Sequence, residues 1–395
     1  MIVSRTPHRI SFFGGGTDYP TWYLNKGGKV IGTTINKYCY ITCRELPPFF
    51  EHKHHIVYSH TEDISELDDI RHPSVRETFK YLNIQNGLSI HHDGDIPARS
   101  GMGSSSAFTV GLLNTLYAVD GKIVSKRELM KEAIYIEQEL IKENVGSQDQ
   151  AFAAYGGFNL IEFLKSGDID VKPIIMPIER LNNFQAKFML FFSGISRIAS
   201  EVAGEQIKNT AKNTKNLSKM IEVTEEAYKV LTNGQSDFRH FGELLHETWL
   251  LKKTLSTQVS TSMIDKMYDT AMKNGAVGGK LLGAGGGGFM LLYAEPESQG
   301  QIKEALKDYL HIPFQFDFSG SKIIVYNQGG GLNLIWTTSP MGNHKGLPLQ
   351  CTMDLPIQHS VPKKSKCLLK SSIVIGLRWV SKYANLKRTL LTILK

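Results

Sequence analysis

Three glycine-rich stretches hold most of the residues in this chain whose types and spacing point to chemistry. The first, "SFFGGGTDYP" (11–20), ends an apolar strand on Gly14, Gly15 and Gly16, followed at once by Thr17 and Asp18. Consecutive glycines let the backbone turn freely and admit a close neighbour, and Asp18 places a charged acceptor beside them. A plain turn fits the same residues. The second, "DIPARSGMGSSSAFTVGLL" (95–113), closes a strand with Gly101-Met102-Gly103 and opens a helix on Ser104, Ser105 and Ser106. Such a junction aims free N–H groups and the positive end of a helix at one point, which suits a phosphate. The serine hydroxyls add donors or a magnesium ligand. Helix capping alone accounts for one serine, but not for the glycines before it. The third, "GGKLLGAGGGGFMLLYAE" (278–295), matches G-x-G-x-x-G at Gly283, Gly285 and Gly288. A dinucleotide site needs a helix after its glycines, and here a strand follows, so that reading fails on context. The tract is either a wide turn or a place where something packs against bare backbone.

The elements that must position these loops read as α+β in each half of the chain. β-Branched and aromatic residues between glycines predict strands over 1–13, 28–35 and 38–46, with a further strand in "LSIHHDGDIP". Ala107, Val110, Leu113 and Tyr117 recur at helical spacing and predict a helix beginning at the serines. "SKRELMKEAIYIEQELIKEN" predicts a second helix, capped by Ser125 with Glu128 three residues on. "KSGDIDVKPIIMPIERLNN" reads as strand, turn and linker. A second block follows, with a strand "AKFMLFFSG", helices between about 196 and 273, a strand "GFMLLYAE", a helix "ESQGQIKEALKDYL" and a last strand "SKIIVYN". The expected division is 1–180, 181–328 and a tail, 329–395.

The net charge of +7 belongs to that tail. Residues 329–395 contain ten Lys or Arg and one acid, Asp354, which leaves the body near −2. The body therefore has no basic excess for nucleic acid. Four cysteines without a disulfide or zinc pattern, no signal-like N-terminus and no apolar run of about 18 residues predict a cytoplasmic protein without a membrane span. The histidine run His52 to His55, with His91 and His92, reads as an exposed loop rather than a metal cluster. "HETWL" from His246 lacks the second histidine of a zinc protease, because Leu250 stands in its place, and reads as part of a core helix. In the tail, Trp379, Val380, Tyr383, Leu386, Leu390, Leu391 and Leu394 share one helical face beside Arg378, Lys382, Arg388 and Lys395. Such a segment docks on an anionic surface or a partner. It equally fits docking on its own body, or a read-through with no selected role.

"PHRISFFGGGTDYP", "IPARSGMGSSSA" and "KLLGAGGGGF" resemble, in order and spacing, the three motifs of the GHMP kinases (galactokinase, homoserine kinase, mevalonate kinase, phosphomevalonate kinase). The resemblance covers residues 2 to 328. Its R-T-P-x-R-I-S-F-x-G-G-G-T-D form is most similar to the branch acting on D-glycero-D-manno-heptose 7-phosphate. It implies a two-domain α+β kinase with its site in the cleft between the halves, using ATP and Mg²⁺. Residues Gly101, Met102, Gly103, Ser104, Ser105 and Ser106 would wrap the nucleotide phosphates, with Gly283, Gly285 and Gly286 of the third motif. Ser105 and Glu137 would hold Mg²⁺. Asp149, in "VGSQDQ", matches the family's catalytic aspartate and would accept or aim the sugar's hydroxyl proton. Arg9 would lie beside it and stabilise charge in the transition state.

Galactokinases carry Gly-Glu-His-Thr-Asp where this chain has Gly14-Gly15-Gly16-Thr17-Asp18, which the resemblance implies to be the sugar-binding edge of the cleft, with Asp18 retained to recognise a sugar hydroxyl. Losing a glutamate and bulk at Gly15 and Gly16 suits a sugar that already bears a phosphate, with Arg99 and Arg197 as its cationic partners. The resemblance thus implies phosphorylation of the anomeric hydroxyl to heptose 1,7-bisphosphate, for nucleotide-activated heptose and surface polysaccharide. The alternatives are a 1-kinase for an unphosphorylated sugar such as fucose or galactose, and a non-catalytic sugar or nucleotide sensor. The intact set Asp149, Arg9, Ser105 and Glu137 speaks against the sensor.

Overall fold

The computed structural model describes residues 1–194 and 199–327. Arg197 and the tail 329–395, with its amphipathic basic segment, lie outside the described residues. The chain opens with β1 (Ile2–Phe13), α1 (Pro20–Lys26), the long β2 (Gly28–Glu45), a hairpin of β3 (His54–Val57) and β4 (Thr61–Ile64), α2 (Pro73–Tyr81) and β5 (Leu88–Gly94). Next come α3 (Ser104–Val119), α4 (Lys126–Tyr135), one π-helical turn (Ile136–Leu140), α5 (Gln148–Tyr155), β6 (Phe158–Phe163), β7 (Ile169–Pro173) and α6 (Ile178–Ala186). The second block is β8 (Phe188–Phe192), α7 (Ala199–Lys208), α8 (Thr214–Thr232), α9 (Arg239–Lys253), α10 (Ser262–Lys273), β9 (Ala276–Leu281) and β10 (Phe289–Ala294). It ends with α11 (Pro296–Ala305), β11 (Leu310–His311), β12 (Phe316–Asp317) and β13 (Lys322–Tyr326).

Two sheets organise these elements. The larger runs β13-β1-β2-β5-β3-β4, with β6 and β12 also paired to β2, and β7 to β6; the smaller runs β11-β8-β10-β9. β2 is the spine of the larger sheet. One edge pairs with β1, while the other pairs with β6 along Gly28–Thr33 and with β5 along Cys39–Glu45. The two strands expected at 28–35 and 38–46 are thus one. Pro7 pairs with Tyr38 and His8 with Ile35, so Asn36 and Lys37 form a bulge. A polar pair in a bulge has the composition of a turn but keeps the strand running.

Most other elements fall where the sequence places them. Ser125 and Glu128 make both halves of a capping box at the start of α4. "IERLNNFQA" is helix α6 rather than linker, because Phe184 anchors it by full burial. The last strands return to the first sheet, Tyr326 pairing with Ile2 and Phe316 with Ile35. All described residues fall in one compact unit. Among them no helix is long and apolar enough to cross a membrane. Cys39 and Cys43 are buried free thiols. His246 lies in α9, its Nδ1 2.6 Å from the Tyr268 hydroxyl, as expected of a core helix. The histidine run differs from expectation: His54 and His55 lie in β3, and His54 is fully buried against Phe79. Period-two alternation along that strand decides which histidine faces the core.

The two sheets share an aromatic core. Phe12 of β1 meets Phe158, Phe184, Phe188 and Phe241 at ring distances between 5.1 and 6.1 Å, mostly edge to face. β1 is therefore held rigidly just before the first glycine loop. Replacing Phe241 by Ala should lower unfolding stability by about 3–5 kcal/mol in urea titrations with an unchanged slope.

Candidate active site

β1 delivers Arg9 into the interior, where it is only 4% exposed. A buried guanidinium needs partners on all sides, and it finds them on two other elements. Nε and Nη2 donate to Asp149 Oδ1 and Oδ2 at 2.7 and 2.8 Å, a two-pronged pair. Nη1 donates to the Gly101 carbonyl at 2.7 Å, and the Arg9 N–H to Met102 O at 3.1 Å. Asp149 sits in the first turn of α5, where a carboxylate also meets the positive helix end. Its side chain retains 15% exposure. The fork uses one lone pair on each oxygen, so the carboxylate keeps acceptor capacity towards the open side.

The second loop lies directly on this pair. Gly101 and Gly103 have φ of +81° and +72°, and a methyl on Gly103 would lie 3.4 Å from Asp149 Oδ2. Gly103 precedes α3, whose first turn presents Ser104, Ser105 and Ser106. Ser104 Oγ accepts from the Arg99 N–H at 3.2 Å; Arg99 itself is exposed, with φ of +60°. Ser106 Oγ donates to Glu137 Oε2 at 2.8 Å. Ser105 is exposed and lies near Glu143. The serine joined to Glu137 is thus one beyond the position assigned by resemblance, since successive helical residues turn about 100° apart.

Glu137 projects from the π-helical turn into a fully buried position and also accepts from Gln150 Nε2. Burial pushes its carboxyl up to about 8. Among the described residues its buried Oε1 has no hydrogen-bond partner. Glu143, close to Asp149, is likewise raised, chiefly by burial and then by that neighbour's charge. An orphaned carboxylate oxygen beside further carboxylates and hydroxyls is the all-oxygen donor set that Mg²⁺ takes, so these residues fit that ion.

The first loop, expected at the sugar, uses its polar groups within the fold. Asp18 is 2% exposed, and its oxygens accept from the Gly16 N–H and Gln148 Nε2, both at 2.9 Å. Burial raises its carboxyl. In this arrangement Asp18 ties the loop to the start of α5, directly beside Asp149. Thr17 Oγ1 closes the loop on Gly14 O and Lys29 O at 2.8 and 3.1 Å. Gly14 is required by the fold, because a methyl there would lie 1.8 Å from the Lys29 oxygen. Gly16 has φ of +106° and faces Leu217 and Leu255. Gly15 alone has neither constraint, and a methyl there would make ordinary contacts with Gln148 and Ser11.

The third loop packs bare backbone on the second. Methyls on Gly283 and Gly288 would lie 2.4 Å from Gly101 Cα and 2.2 Å from Ser100 O. Gly285 meets Val259 the same way, and the Gly286 N–H is already used by Val259 O at 2.9 Å. The sequence reading missed the residues that fix this contact. Lys252 Nζ of α9 donates to Leu281 O at 2.9 Å and to Gly283 O, and Lys280 Nζ donates to Phe12 O at 2.9 Å. Gln206 Nε2 donates to Ala284 O at 2.7 Å. The available signal was a lysine in each of two otherwise apolar or glycine-rich runs, "TWLLKK" and "VGGKLLG".

The GHMP kinase N-terminal domain model matches residues 73–157, including the second loop and Asp149, and the GHMP kinase C-terminal model matches 220–312, including the third loop. The chain thus carries the N- and C-terminal domains of the GHMP kinases, phosphotransferases with ATP as co-substrate. It is 29% identical over 316 residues to the D-glycero-alpha-D-manno-heptose 7-phosphate kinase of Campylobacter jejuni, covering 78% of this chain and 93% of that protein. A galactokinase of Pyrococcus furiosus is 25% identical, over 78% of this chain and 94% of its own. The fold is shared with a D-glycero-D-manno-heptose 1-phosphate kinase from Bacteroides thetaiotaomicron, at TM-score 0.68, 24% identity, and coverage of 82% and 98%.

The buried Lys252 has a measurable consequence. Burial, then the charge of Arg9, lowers its ammonium from 10.5 to about 7. Between those values the unfolded chain holds a proton that the native chain lacks, so its contribution makes stability rise with pH. In Lys252→Met, the slope of unfolding free energy against pH from 7 to 10 should fall by about 1.4 kcal/mol per unit relative to the parent. Denaturant titrations across that range measure it.

Proposed function

We propose that the protein is a sugar 1-kinase that transfers the γ-phosphoryl group of ATP to the anomeric hydroxyl of D-glycero-D-manno-heptose 7-phosphate. The Arg9–Asp149 fork beside the glycine-serine loop carries this reading. It sets a fixed carboxylate, with free acceptor capacity, against a helix end suited to phosphate. The sugar oxygen forms the new bond to phosphorus, the bond to the ADP oxygen breaks, and Asp149 aims the hydroxyl and takes up its proton. Arg9 fixes the carboxylate and stabilises charge in the transferring group. The N–H groups opening α3, with Ser104 and Ser105, cradle the nucleotide phosphates. Glu137, with Ser105, Ser106 and Glu143 around it, would hold Mg²⁺, which neutralises phosphate charge when bound.

The heptose assignment draws on the relatives and on one residue. Gly15 is bare although the backbone does not demand it, which leaves room and no negative charge where a phosphorylated sugar would lie. Arg99 and Arg197 would serve its distal phosphate. The cytoplasm, where ATP is at hand, is the setting proposed for the reaction.

ATP consumption with heptose 7-phosphate, fucose and galactose tests the proposal. Turnover is expected with the heptose and should fall by about 10²–10⁴ in Asp149→Asn, with nucleotide binding retained. Nucleotide and sugar binding without turnover on any of the three would sink it. In Gly15→Glu, KM for heptose 7-phosphate should rise about tenfold or more, while KM for ATP stays put. An unchanged sugar KM would remove Gly15 from the specificity argument.

A further inference from the structure

At the far edge of the large sheet, period-two alternation turns His54, Ile56 and Glu62 inward and leaves His55 and Asp63 on the outer face. The hairpin register sets His55 directly opposite Asp63. His55 Nδ1 lies 2.6 Å from Asp63 Oδ1, and His52 Nε2, from the segment just before β3, lies 3.4 Å from the same oxygen. The three donor atoms all lie within 4.8 Å of one another. Phe50 stacks on the His52 ring at 5.5 Å and holds it over the hairpin. His91 of β5 stands on the other flank, its ring 5.5 Å from that of His55. None of these residues touches Arg9, Asp149 or the glycine loops, because β2 and β5 stand between β1 and the hairpin.

We propose that His52, His55 and Asp63 form a binding site for a zinc-class divalent cation, with a fourth position open to water or His91. Two imidazoles and a carboxylate are a donor set for Zn²⁺, Co²⁺ or Ni²⁺, and not for Mg²⁺, which takes oxygen. Tetrahedral zinc places its ligand atoms about 3.3 Å apart, from bonds of about 2.0 Å, so side-chain rotations of about an ångström close the site. The ion would bind the His52 segment, β3 and β4 together. This pins an edge strand that otherwise has only one neighbour.

Cobalt gives a direct readout on the full chain, with excess Mg²⁺ present throughout to occupy the oxygen site. One equivalent of Co²⁺ should produce intense visible d–d absorption that Zn²⁺ abolishes by displacement. Affinity should drop about 100-fold in His55→Ala and in His52→Ala, with kinase activity unchanged in both. Zn²⁺ should raise the melting temperature of the parent, but not of either variant. His52→Ala, altered outside the strands, keeps the test valid if His55→Ala does not fold. Absence of the cobalt spectrum, or an affinity in both variants equal to the parent's, overturns the site. So does binding that survives them and disappears in a His344→Ala, His359→Ala double variant, which would place the ion on the tail.

Discussion

A buried arginine is the constraint from which the candidate active centre follows. Arg9 enters the interior on β1, and a guanidinium there is tolerated only when its donors are met by charge and carbonyl oxygen. Asp149 supplies the charge and Gly101 the carbonyl. Satisfying one side chain therefore brings together the central sheet, the first turn of α5 and the loop before α3. The same contacts give the carboxylate one orientation, which is what phosphoryl transfer asks of the protein more than any covalent step.

The glycines around this centre divide by physical cause. Gly101, Gly283 and Gly288 let two loops from different sheets touch at the backbone, where any side chain would collide. Gly14 makes the equivalent contact with the start of β2. Lys252 and Lys280 then secure the loops through buried bonds to carbonyls. A neutral or weakly basic amine suits that task, since a full charge in so apolar a place is costly. Gly15 stands outside this scheme, and its bareness is left for the ligand to explain.

Much of this was legible in the linear chain. β1, the helix opening at the serines, the Ser125–Glu128 capping box and the strand after the third loop all announce themselves through local periodicity and capping chemistry. The three motifs, in order, pointed to a kinase and brought Arg9, Asp149 and Glu137 forward as candidate site residues. Other features depended on partners distant in sequence. Asn36 and Lys37 have the composition of a turn, and only pairing with β1 makes them a bulge. Ser105 and Ser106 are equivalent by type, and only the rotation of α3 gives Glu137 to Ser106. His55 and Asp63 look like isolated polar residues until a hairpin register sets them face to face.

The sequence by itself determined the local elements, the glycine loops and the kind of chemistry, because capping, alternation and backbone freedom act over a few neighbouring residues. The tertiary structure decided which groups touch. Asp18 reads as a charged acceptor beside three glycines, and folding buries it against Gln148 as a strut beneath Asp149. The third tract reads as a place where something packs against bare backbone, and folding brings the backbone of the second loop there, at Gly283 and Gly288. In both cases the physical reason is the same: close packing between segments more than a hundred residues apart sets burial and contact, and no local pattern encodes that distance.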